Sequence, residues 1–92
     1  MLRWVNLRLR LYGLLKDLAG REYFEFVVNA PTPIGKLIND LASKDVSFRE
    51  FLEKVRKAEI NVMFVVNDSI VGEDFLINDM DEVVLLPPAA GG

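Results

Sequence analysis

Two glycines, Gly91 and Gly92, close the sequence behind Pro87, Pro88, Ala89 and Ala90. Neither carries a side chain, so the pair fits a channel too narrow for any other dipeptide. The Gly92 carboxylate is then a group that a second protein can reach at the end of a rod. The chemistry open to it is acyl transfer, because a carboxylate becomes an electrophile once it is given a leaving group. Pro87 and Pro88 fix φ at about −65° and bias the residues before them toward extended backbone, so the tail is expected to leave stiff and outward. Gly91 and Gly92 restore mobility at its tip. This divides the chain into a folded domain, residues 1–86, and an extended tail, residues 87–92.

The residues that are missing narrow the chemistry further. The chain has no cysteine and no histidine. The usual zinc sites are excluded, so no metal is expected. Thiol and Ser-His-Asp nucleophilic machinery is excluded with them. No glycine-rich phosphate loop is present, and no bound cofactor is expected. A net charge of −3 gives no electrostatic support for nucleic-acid binding. No run of about 18 apolar residues suggests a membrane span. Arg3, Arg8 and Arg10 interrupt any signal-peptide core, which leaves a cytoplasmic location as the default. The chain reads as something acted upon rather than as an autonomous enzyme.

Ninety-two residues with 51% hydrophobic content suit one domain with a single modest core. Leu7, Leu9 and Leu11 alternate with Arg8, Arg10 and Tyr12, as in a strand with the leucines inward. A short helix over Leu14 to Ala19 is closed by Gly20 as a left-handed cap. Glu22 to Asn29 forms a second strand, with Phe24, Phe26 and Val28 on one face. Thr32 and Pro33 predict a helix start, as N-cap and first helical residue. Ile34, Leu37, Ile38, Leu41 and Ala42 supply its apolar stripe. Ser47 with Glu50 reads as a capping box for a second helix ending near Lys57. Strands follow at residues 62–66 and 82–86, with a short edge strand at Ile70 and Val71. Between them lies a polar-rich connection, Gly72 to Asp81, in which Asp79, Asp81 and the adjoining Glu82 read as turn and solvation residues. The order satisfies an α+β fold with helices on one face of a mixed sheet. First and last strands parallel at the sheet centre would make it a ubiquitin-like β-grasp.

Residues 62–66 and 83–86 do not alternate. Either Met63 with Val65, or Phe64 with Val62 and Val66, must point away from the helices. Two of Val83, Val84, Leu85 and Leu86 must do the same. The short helix or the Phe75 connection could cover them. Left uncovered, they form an apolar patch of the kind that marks a protein partner, beside the tail. Tyr12, Phe64 and Leu86 are its expected anchors.

Leu11 to Gly20 and the Thr32 to Leu41 helix start resemble segments of the MoaD and ThiS sulfur-carrier family. The ending from Asp81 through Pro87, Pro88, Gly91 and Gly92 is similar to that family's Asp-Glu-Val, Pro-Pro and Gly-Gly pattern. MoaD, the small subunit of molybdopterin synthase, is the nearer of the two. Met80 stands where the family often has glycine, Asp68 and Ser69 follow Asn67 where it has Asn-Gly, and Leu86 replaces a frequent aromatic residue.

The resemblance implies that a ubiquitin-activator-like, MoeB-like adenylyltransferase uses ATP to adenylate the Gly92 carboxylate. Sulfur then replaces the adenylate to give a thiocarboxylate. The tail enters the larger, MoaE-like synthase subunit and delivers sulfur to a pterin precursor. Two other outcomes begin with the same adenylation. One is a ubiquitin-like modifier conjugated to lysines through Gly92, and the other is a sulfur carrier for thiamine or tRNA thiolation. A plain binding module with incidental glycines is a further alternative.

Overall fold

A computed structural model describes residues 2–78 and 82–88. The alternating leucines build the first strand, β1 (Arg3–Leu11), and Val5, Leu7, Leu9 and Leu11 are all buried. Gly13 leads into α1 (Leu14–Ala19), and Gly20 closes it at φ 70°, the left-handed cap expected from its position. β2 (Tyr23–Ala30) returns antiparallel to β1, with Leu7 opposite Phe26 and Leu9 opposite Phe24.

After β2 the chain makes a short strand, β3 (Thr32–Pro33), and then the helix α2 (Ile34–Lys44). Thr32 is not the helix cap. It is buried and paired with Ile77 of β6 (Leu76–Ile77), a strand inside the segment expected to be a plain connection. The same segment satisfies the helix terminus. The N–H of Ile34 donates to the carbonyl of Phe75 at 2.9 Å, and that of Gly35 to the carbonyl of Glu73 at 3.0 Å. Backbone from elsewhere in the fold does the work of a capping side chain.

α3 (Val46–Lys57) begins two residues earlier than the Ser47 and Glu50 pattern suggests. Its cap is Asp45, whose Oδ1 accepts from the N–H of Phe48 at 2.8 Å. β4 (Met63–Val66) and β5 (Ser69–Val71) form a hairpin through Asn67 and Asp68, and β7 (Glu82–Leu86) completes the sheet.

The strand order is β2-β1-β7-β4-β5. β7 is parallel to β1, with Leu11 opposite Leu85, and antiparallel to β4. First and last strands therefore lie side by side at the centre, the arrangement of a β-grasp. The core lies between this sheet and the helices. Phe24 and Phe26 of the sheet meet Phe48 of α3 edge-on, at 5.1 and 5.4 Å between ring centroids. Such packing adds to the burial of the rings themselves. Among the described residues no helix is long and apolar enough to cross a membrane.

Candidate functional site

β7 emerges from the middle of the sheet and leads directly into Pro87 and Pro88. Side chains alternate across a strand, so Val83 and Leu85, both buried, point to the helices, and Val84 and Leu86 point away. The register decides the ambiguity in β4. Phe64 lies opposite Leu85 and Val66 opposite Val83, so both face the helix side. Met63 lies opposite Leu86, and Val65 opposite Val84 on one side and Ile70 on the other.

Phe64 is thus misplaced as an anchor of the outer patch. It is partly buried against the main core, and Met63 and Val65 take the outer position. The facing of two successive apolar residues depends on register, which composition alone does not give. Leu86 lies on the outer face, half-buried. Tyr12, immediately after the Leu11–Leu85 pair, is 48% exposed, and Ile70 is 69% exposed. Phe75 packs against the helix-side core, so it does not cover these residues.

One row crosses the outer face in the order Ile70, Val65, Val84, Arg10, Tyr23. It changes from aliphatic to charged at the β7–β1 boundary. Arg8 donates through Nη2 to Glu25 at 2.9 Å and lies 4.4 Å from the centre of the Tyr23 ring. The Glu25 hydrogen bond raises the Arg8 pKa above its ordinary value. Arg10 pairs with Glu82 at 3.5 Å. These are surface pairs, so they orient the face more than they stabilise the fold.

The base of the tail rests on the turn before α1. A Cβ placed on Gly13 would lie 3.5 Å from Cγ of Pro87, and Gly13 itself has φ 57° and ψ −136°. Glycine adopts that backbone readily and other residues do not. Nothing in the Tyr12–Gly13 pair by itself signals that Gly13 lies against the first tail proline. Pro87 is half-buried and Pro88 exposed. Gly91 and Gly92 lie outside the described residues, as do Asp79, Met80 and Asp81. Among the described residues no group of three acidic side chains could hold a metal ion.

The model of a family described as the ThiS family matches residues 9–92. No curated protein matches the chain by sequence. Several solved structures are similar. A putative molybdopterin converting factor, subunit 1, from Pyrococcus furiosus is 20% identical over 92% of this chain and 99% of that one, with a TM-score of 0.68. SAMP1 from Haloferax volcanii is 19% identical over 95% and 99%, with a TM-score of 0.72. The small archaeal modifier protein 1 from Methanosarcina acetivorans is 20% identical over 98% and 99%, with a TM-score of 0.65. At these identities the likeness is one of fold, the ubiquitin-like β-grasp.

Proposed function

This chain belongs to the ThiS family, and from that premise we propose that it is a sulfur carrier and the small subunit of a molybdopterin synthase. The supporting observation is that the family match runs through residue 92 and so takes in Gly91 and Gly92 behind the central strand. In this reading the Gly92 carboxylate attacks the α-phosphorus of ATP on an activating enzyme and releases pyrophosphate. A persulfide on a partner protein displaces AMP from the acyl adenylate, and a second partner thiol cleaves the resulting acyl disulfide, leaving a thiocarboxylate on this chain and a disulfide on the partner. A larger synthase subunit accepts the tail and supplies the acid–base groups, since this chain has neither cysteine nor histidine. The outer patch of Met63, Val65, Val84, Leu86 and Tyr12 is the docking face for these partners.

The test is direct. Incubated with an activating enzyme, ATP and a sulfur donor, the protein should gain the mass of one oxygen exchanged for sulfur. It should then lose it to a reduced pterin precursor only when the large subunit is present. Deleting Gly92 should abolish pyrophosphate exchange and leave the melting temperature unchanged. Exchange at the full rate by the deletion variant would falsify the assignment of Gly92.

The fold likeness to small archaeal modifier proteins favours a second reading, in which the same adenylated Gly92 is conjugated to lysines. Gly-Gly remnants on lysines of other proteins in cell extract, with no sulfur transfer to the pterin precursor, would select it.

A further inference from the structure

The sheet ends in two outer strands of unequal length, β5 with three residues and β2 with eight. Among the described residues no strand pairs with the outer edge of β2. Backbone N–H and C=O groups along that edge are therefore open to another extended chain. Proteins usually blunt such edges with lysine, proline or a bulge. From Tyr23 to Ala30 there is no proline or lysine, and Glu25 is the sole charge. Its register with β1 runs unbroken from Arg3–Ala30 to Arg10–Tyr23, which leaves no bulge.

A groove of about 180 Å³ lies at this edge. Trp4, Val27 and Asn29 line one side, and Lys36, Asp40 and Lys44 of α2 line the other. Trp4 is 69% exposed and Val27 61%. Trp4 lies opposite Asn29, which makes Val27 its diagonal neighbour on the outer face. The charge on the helix side is unbalanced. Lys36 is engaged with Asp40 at 2.9 Å, while Lys44 has no ion-pair partner among the described residues.

We propose that this edge docks an extended, acidic segment of another protein, which adds to β2 as a further strand. Alternate side chains of an added strand fall on the two faces of the sheet. Aliphatic residues would cover Trp4 and Val27, and a carboxylate on the other face would reach Lys44. A second copy of this chain is the poorer occupant, because two-fold pairing of β2 with itself sets the same basic helix face against its own copy. The site is remote from the tail. Trp4 precedes Leu11, the partner of Leu85, by seven residues, or roughly 23 Å of strand. Both ends of the sheet can therefore be occupied at once.

Trp4 is the sole tryptophan, so its emission reports on this groove alone. The full chain would be titrated with a capped peptide of alternating valine and aspartate, and with the same peptide carrying lysine for aspartate. The acidic peptide should give a saturable blue shift and slow amide exchange along residues 24–30. Lys44→Glu should weaken it roughly fivefold, on the scale of one surface ion pair gained or lost, and reverse the preference toward the lysine peptide. Lys44→Gln gives an intermediate affinity, and equal melting temperatures confirm that both variants are folded. Three results would overturn the proposal: no saturation by either peptide, amide protection at β5 instead of β2, or a peptide-independent dimer in sedimentation.

Discussion

Asp68 occupies a position where the backbone favours glycine. Val66 pairs with Ser69, and the two residues between them, Asn67 and Asp68, have φ of 51° and 66°. Positive φ at both central residues is the geometry of a type I′ hairpin, for which Asn-Gly is the preferred pair. Asn67 tolerates it, while Asp68 pays in strain for its Cβ. Asp68→Gly should therefore stabilise the protein by about 1 kcal/mol and raise the melting midpoint by about 5 °C for a domain of this size. Calorimetry checks it, and an unchanged or lowered midpoint would show that Asp68 contributes something the turn geometry does not reveal. Gly13, at φ 57° and ψ −136°, makes a stricter demand for glycine at the place where the tail begins.

At the scale of elements, the start of α2 is held by the segment containing β6 rather than by its own residues. Gly35 makes that contact possible, since a Cβ there would lie 3.2 Å from Cβ of Glu73. Gly35→Val should cost about 1–3 kcal/mol from overpacking, measured by urea unfolding. A neutral result would mean that the 73–75 segment yields freely. This contact also marks where sequence reading stops. Periodicity located β1 and both helical stripes, because each repeats its own pattern over several residues, and an unbroken apolar run located the central β7. β3 and β6 are two residues each and have no period to read. The same limit applies to the site. Leu86 was legible as an outward residue, whereas the inward facing of Phe64 and the outward facing of Met63 followed only from pairing with β7.

Across the whole molecule, the two faces of β7 separate stability from recognition. Leu85, 1% exposed, belongs to the core, and its neighbour Leu86 belongs to the outer patch. Leu85→Ala should cost about 2–5 kcal/mol of stability. Leu86→Asp should leave the melting temperature within a few degrees and weaken binding to a synthase large subunit or activating enzyme by at least tenfold, on the scale of a hot-spot residue. Calorimetry of binding on both variants reads the difference. Equal binding by wild type and Leu86→Asp would remove the outer face from the proposed docking surface.

The central placement of β7 has a mechanical consequence. A partner that draws the tail into a channel pulls along the axis of a strand held on both sides, by β1 and by β4. The load falls on both ladders in shear, so their hydrogen bonds must give way together rather than open one after another from an end. An edge strand under the same pull would peel. Tension on the tail therefore moves the domain as one body, and force spectroscopy between β1 and residue 88 should show a single high-force rupture. Stepwise yielding at low force would mean that the tail is only loosely coupled to the sheet.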